Sequence, residues 1–439
     1  MRILLIATNR HNRWMSHEEV RPLPIGLAYV AAYIDPQRHP LKVLDLMFAD
    51  DYLAETEAVV REFKPDLVGI SIRNLDNGSY VNPQSALPVT RDVIQRIRSC
   101  SEATIACGGP AFSTLPEECF RYLEPDVGLA GDSAETFAQL ADLLERKKKY
   151  HTLSGLVYRD GEEIITAPHR ASSGLEIPPR LEDLDLPSYR KAGFGVGVIT
   201  KLGWYSSTVA SPTSTDEWRI IRPVQEVAEE VRRLKNKFNL QEFFFIDQAF
   251  NRPSQYAKDL CNCLINEQLD IKWNTNLQPQ ECDQELVSLM VRAGCQMVLI
   301  GGASMPASLA YEEDNSDSLT LSTIIAGLQH LCNMCAAQGL PYSITQGFGE
   351  PGETQNSIRT KLAFLSAAAG KDRAAPVALR IGNRLLPGSE LTKQAAQERL
   401  IESECDLLMP VYYVTPIVRA NILETLQSAV STHPTWSIM

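Results

Sequence analysis

Two rhythms of apolar and polar positions alternate along the chain. Short apolar runs at residues 2–7, 41–45, 66–72, 103–107 and 127–130 predict strands buried on both faces, as in a parallel sheet. Between them, apolar residues recur three and four apart at 24–34, 53–63, 89–97 and 135–144, which predicts helices with one buried face. That alternation over residues 1–150 predicts an α/β domain of Rossmann-like type. Lys147, Lys148 and Lys149 close its last helix, where positive charge suits the helix dipole. Residues 151–192 read as a hairpin, turning at Asp160-Gly161, and then a polar, proline-rich linker.

The rhythm resumes over residues 193–383. Strand-like runs fall at 196–200, 242–247, 270–276, 297–302, 341–347 and 376–382. Val224, Val227, Val231 and Leu234 mark one face of the first intervening helix, and Tyr256, Leu260 and Leu264 one face of the second. Six strands with five helices between them predict a partial (β/α)6 TIM-like barrel, whose ligands sit at the carboxyl ends of the strands. Residues 384–439 read as a small mixed C-terminal segment ending in a helix near 417–430.

Composition narrows the function classes. The chain has 439 residues and a formal net charge of -12, so its surface repels phosphate backbones and nucleic acid is not an expected partner. No apolar run approaches the roughly 20 residues that cross a bilayer, and residues 1–7 read as a first strand rather than a signal peptide. A cytoplasmic protein is expected, with no membrane partner. The 10 cysteines are then expected to be reduced, buried thiols.

Several motifs, in order, carry a resemblance. They begin with Pro24-Ile25-Gly26-Leu27-Ala28-Tyr29 and the strand-end loop Gly69-Ile70-Ser71-Ile72-Arg73-Asn74-Leu75-Asp76-Asn77. Gly108-Gly109-Pro110-Ala111-Phe112-Ser113 and Gly131-Asp132-Ser133-Ala134-Glu135-Thr136-Phe137 follow two further strands. In the second region stand Phe245-Ile246-Asp247-Gln248-Ala249-Phe250-Asn251, Gly347-Phe348-Gly349-Glu350-Pro351-Gly352-Glu353-Thr354 and Pro387-Gly388-Ser389-Glu390-Leu391. Together they resemble the cobalamin-binding radical S-adenosylmethionine (SAM) family over nearly the whole chain. The resemblance implies cobalamin as cofactor, held by Asn74, Asp76, Asn77, Gly108, Gly109, Phe112, Ser113 and Gly131, with Thr114 adding a polar group. No Asp-x-His-x-x-Gly occurs in this domain, and His11, His17 and His39 lie away from the strand ends, so no histidine is expected below the cobalt.

The loop at residues 200–213 departs from that family. Its pattern is Lys-x-Gly-Cys-x-x-x-Cys-x-x-Cys, and here Lys201 and Gly203 are kept while Trp204, Thr208 and Ser211 stand at the cysteine positions. An indole and two neutral hydroxyls cannot replace three thiolates, so no [4Fe–4S] cluster is expected. Cys332 and Cys335 fall in mid-helix, and Cys261 and Cys263 point to opposite sides of a helix. Ala303 stands where the family has an acid, while Asn276, Ser304, Gly349 and Glu353 remain as contacts for SAM, a candidate co-substrate.

Two functions follow from different classes. The first is a cobalamin-dependent transferase without radical chemistry, moving a methyl or alkyl group onto a small metabolite of natural-product type. Asp247, Glu350 and Tyr205 are its candidate catalytic groups, and Trp204, Asn251, Gln346, Arg380 and Tyr412 its candidate substrate contacts, with Arg384 beside them. The second is a cobalamin-binding sensor or partner subunit of an active enzyme. A monomer or homodimer is expected in either case. The retained polar groups at the strand ends favour the enzyme.

Overall fold

The computed structural model describes residues 1–9, 21–169, 175, 177–191, 196–203, 220–301, 321–369, 375–402 and 407–439. The first domain runs β1 (Ile3–Ala7), α1 (Ile25–Ala32), β2 (Leu41–Asp45), a 3-10 turn (Leu46–Phe48), α2 (Tyr52–Phe63), β3 (Leu67–Ser71), α3 (Leu87–Arg98) and β4 (Thr104–Gly108). It continues with α4 (Pro110–Thr114), α5 (Pro116–Leu123), β5 (Val127–Leu129), α6 (Ala134–Glu145), β6 (Leu156–Asp160) and β7 (Glu163–Thr166). All five residues of β1 are buried, because helices cover both faces of the sheet it centres.

The sheet order is β2-β1-β3-β4-β5-β6-β7. Strands β1 to β5 are parallel, and β6 and β7 are antiparallel. The expected hairpin therefore extends the first sheet rather than joining the linker. The strand order reverses between β1 and β3, and in such sheets a ligand crevice opens outside the carboxyl ends at that point.

The second domain begins with α7 (Leu186–Lys191), β8 (Val196–Val198) and the short pair β9 (Lys201–Leu202) and β10 (Ile220–Ile221). Then come α8 (Val224–Phe238), β11 (Glu242–Phe245), α9 (Ser254–Asn266), β12 (Lys272–Leu277), α10 (Gln284–Arg292) and β13 (Cys295–Ile300). They are followed by α11 (Leu321–Ala337), β14 (Tyr342–Phe348), α12 (Gln355–Ala369) and β15 (Val377–Ile381). The C-terminal part holds β16 (Asn383–Arg384), α13 (Glu390–Gln397), β17 (Tyr412–Tyr413), α14 (Pro416–Arg419), α15 (Ile422–Ser431) and β18 (Trp436–Ile438). The six expected barrel strands are present. A seventh, β18, pairs in parallel with β15 and completes the order β18-β15-β14-β13-β12-β11-β8.

Register separates the two faces of this curved sheet. Trp273, Thr275 and Leu277 on β12 align with Val298 and Ile300 on β13 and with Ile344 on β14, and all are buried under helices. The opposite face carries Phe244, Asn274, Asn276, Met297, Leu299, Ser343, Thr345, Ala378 and Arg380, all only half-buried. That half-exposed row is the inner face of an open barrel.

The two domains are tied at two places. Leu23, Ala28 and Met47 of the first share one apolar core with Val227, Val231 and Leu234 of α8. There the Tyr29 hydroxyl donates to Glu230, which also pairs with Arg222 at 2.7 Å. At the second tie the loop after β3 meets β16 and β17. Asp76 Oδ2 pairs with Arg384 Nε at 2.7 Å, Oδ1 accepts from the Tyr412 hydroxyl at 3.2 Å, and the Tyr80 and Tyr412 rings meet edge to face. Because Asp76 follows the carboxyl end of β3 and Arg384 that of β15, the carboxyl ends of both sheets open towards each other.

Candidate functional site

The site is the space between these two sets of strand ends. On the first-domain side the loops after β3, β4 and β5 present small and polar residues. Arg73 and Asn74, both half-buried, have no side-chain hydrogen bond among the described residues. Burial holds the Arg73 guanidinium below its ordinary value, with the nearby Tyr189 phenol acting the other way. Gly109 lies at φ 101°, where a Cβ would come within 2.7 Å of the Ile72 carbonyl. The Ser113 hydroxyl donates to the Gly109 carbonyl and accepts from the Gly131 amide at 2.9 Å, which knits the β4 and β5 ends together. His169 Nε2 accepts from the Asp132 amide at 3.0 Å, so the ring stands over Gly131.

Several residues expected to touch cobalamin are occupied within the fold. Asp76 makes the inter-domain tie described above. Asn77 Oδ1 accepts from the Ser79 and Gln84 amides and its Nδ2 donates to the Asn82 carbonyl, which shapes the loop itself. Phe112 is fully buried in the core between α3, α5 and the sheet, against Gly128. Thr114 donates to the Pro110 carbonyl inside α4. Gly108, Gly109, Ser113 and Gly131 do lie at strand ends, with Asn74 beside them. The Cβ directions of Gly109 and Gly131 are filled by Ile72 and His169, so what this rim leaves for a ligand is Arg73 and Asn74, whose side chains make no hydrogen bond among the described residues.

On the barrel side the register sorts the remaining candidates. Asn276 lies on the inner face and donates to the Asp247 carbonyl at 2.8 Å. Its neighbour Asn274 keeps a buried Oδ1 with no partner among the described residues, an acceptor open to a ligand donor. Gln346 lies on the helix-covered face, donating to the Gly347 carbonyl. Asn251, fully buried, bonds the Gln278 and Gln280 carbonyls and the Gln278 amide. Asp247 Oδ2 takes Thr200 and Lys201, the latter at 2.8 Å, in a buried ion pair, while its Oδ1 has no bond among the described residues. Glu353 pairs with Lys361 at 2.6 Å and accepts from the Gly349 amide, so it braces the turn after β14. Gly349, at φ 86°, leaves room for Val414 and Ile422 rather than for a ligand. Glu350 on that turn is 2% exposed. Arg380 and Tyr412 stand where the two domains meet, with Arg380 Nη2 3.9 Å from where a Cβ on Gly78 would lie. Trp204, Tyr205, Thr208, Ser211, Ala303 and Ser304 lie outside the described residues.

Four members of the site carried no clear sequence signal. Lys201 was visible only as part of the loop pattern, and its pairing with Asp247 spans 46 positions between strand ends. The Lys361 partner of Glu353, the orphan carbonyl of Asn274 and the His169 contact each depend on tertiary placement.

The thiols do not gather. The described cysteines are all free, and among the described residues no three lie together as ligands. Burial pushes Cys119, Cys282, Cys332 and Cys335 up to about 12, so they are inert as thiolates.

Comparison with known proteins agrees with this architecture. Residues 19–141 match the B12 binding domain, so the first domain is of that type. The whole chain has the fold of the radical S-adenosylmethionine methyltransferase TsrM from Kitasatospora setae: a structure of that protein with tryptophan substrate and a SAM analogue superposes with a TM-score of 0.82, 19% identity, and coverage of 99% of this chain and 90% of that one. Among curated sequences, the uncharacterized methyltransferase PH0819 of Pyrococcus horikoshii is 24% identical over 63% of this chain. The alignment spans 60% of the length of that relative. Tryptophan 2-C-methyltransferase of Streptomyces laurentii is 22% identical over 85% of this chain and 72% of its own length.

Proposed function

We propose that this protein is a cobalamin-dependent methyltransferase that works by polar transfer, without an iron–sulfur cluster, on a small metabolite. The observation that carries the reading is the pairing of a B12 binding domain with a TsrM-like barrel whose loop holds Trp204, Thr208 and Ser211 at the three ligand positions. Arg73, Asn74, Gly108, Gly109, Ser113 and Gly131 would hold the cofactor. Bound cobalamin supplies a cobalt centre that accepts and releases a methyl group. The protein supplies orientation and a dry cavity.

SAM is the proposed methyl source, set against Asn274 and Asn276 on the inner face. Its methyl–sulfur bond breaks and a bond to a nucleophilic substrate atom forms, leaving S-adenosylhomocysteine. Glu350, buried at the turn after β14, is the proposed acceptor of the proton the substrate loses. Asp247 is held by Lys201 and Thr200, which suits orienting the strand end rather than taking a proton. Relatives named as methyltransferases of tryptophan and of cytidylyl-2-hydroxyethylphosphonate support a small-molecule acceptor.

The test is to incubate hydroxocobalamin-reconstituted protein with SAM, a mild reductant and candidate acceptors. S-adenosylhomocysteine without 5′-deoxyadenosine is expected. Enzyme-dependent 5′-deoxyadenosine would overturn the polar reading. Absence of both, with corrin bound, would point to a non-catalytic partner.

A further inference from the structure

Arg380, at the point where the two domains meet, has no counter-ion among the described residues. It sits at the inner-face end of β15, opposite Gly347 on β14, and is half-buried. It has no hydrogen bond or ion pair among the described residues. Across the domain junction, the carboxylate of Asp76 is committed to other donors. Its Oδ2 takes Arg384, and its Oδ1 takes the Tyr412 hydroxyl and the Gly78 amide. The carboxylate of Asp76 is paired with Arg384, not with Arg380. Around Arg380 the inner face is cut back to Gly347, Ala378 and Thr345, and Gly78 faces it from the other domain.

Partial burial of an unneutralised guanidinium is costly, and in a chain of net charge -12 partners for it abound. Its planar fork of donors matches two oxygens of an anion. We propose that the substrate of the methyltransferase carries an oxyanion, a carboxylate or phosphoryl group, which Arg380 binds in the cleft. This rests on the methyltransferase reading for the word substrate. It specifies the acceptor's chemistry, which that reading leaves open. The anionic end sits on Arg380 at the domain junction, and the reacting atom lies further in, over Asn274 and Asn276.

The experiment uses the full chain reconstituted with hydroxocobalamin and ligand-observed NMR with phenylacetate, phenylphosphonate and the neutral phenylacetamide as probes. Either anion, or both, is expected to bind while the amide does not, and the two anions separate carboxylate from phosphoryl preference. Arg380→Gln should weaken anion binding about tenfold or more, and Arg380→Lys should restore part of it. Arg380→Gln should keep its corrin spectrum and melt no lower than wild type, since no internal ion pair is lost. Equal binding of amide and anions, unchanged binding in Arg380→Gln, or no binding of either anion would overturn the proposal. So would loss of corrin by Arg380→Gln, which would assign the cation to the cofactor's own phosphodiester. The corrin spectrum reports on the methyltransferase reading, and the probe binding on this inference, so the two can fail separately.

Discussion

Asp76 shows how a polar residue at a strand end serves the fold before any ligand. Its pairing with Arg384 is nearly buried on both sides, and breaking one member of such a pair leaves the other uncompensated. Asp76→Asn or Arg384→Gln should each lower unfolding free energy by about 3 kcal/mol in urea titrations. The double variant should cost less than the sum of the two. Strictly additive losses would mean that the pair does not couple the domains. The thiols give a pH test at the same scale. Burial raises Cys119, Cys282, Cys332 and Cys335 to about 12, above the roughly 8.5 of an unfolded thiol. The folded state therefore holds those protons more tightly, and their contribution, fully present below pH 8.5, is lost as pH rises from about 8.5 towards 12. Stability should fall across that window. Iodoacetamide at pH 8 should leave the buried Cys119, Cys332 and Cys335 unmodified until urea is added. Rapid native alkylation of Cys332 or Cys335 would contradict their burial.

Residue-scale roles were the least legible part of the sequence. Asp247, Asn251, Gln346 and Glu353 read as groups converging on a ligand because they end strands. The structure spends their hydrogen bonds on Lys201, the Gln278–Gln280 segment, Gly347 and Lys361. A sequence shows that a polar group is present at a strand end. Which face it takes follows from register, and register is tertiary.

At the scale of elements, most strands and helices were visible, since buried parallel strands write continuous apolar runs. Short elements were missed, β18 among them. Its three residues at the chain's end are too short to show a period, and only pairing with β15 makes them a strand. Trp436 buries 95% of its surface there and stacks on His433 at 3.9 Å between ring centroids. Trp436→Ala should cost about 3 kcal/mol or more and expose β15 as a sheet edge. Thermal melting with light scattering would show an earlier, aggregating transition. An unchanged melt would mean that β18 adds nothing to the barrel. The β6–β7 hairpin was recognised as a hairpin, but its attachment to β5 was not, because a hairpin's own pattern does not say which edge it joins.

For the whole molecule, the two-domain order was legible because each domain carries its own run of strand–helix alternation. The way the domains face each other was not. It follows from Tyr29, Glu230 and Arg222 on one side and from Asp76, Arg384 and Tyr412 on the other, pairs separated by up to 336 positions. That arrangement turns both sets of carboxyl ends towards each other, as the proposed methyl transfer between a cofactor on one domain and a substrate on the other would require. The most direct measurement is metal content after anaerobic reconstitution with hydroxocobalamin, iron and sulfide together, followed by gel filtration. The expected protein holds about one corrin per chain, seen by its absorption band, with iron and acid-labile sulfide at background. Four irons and four sulfides per chain would contradict the central claim, and so would a protein that retains no corrin.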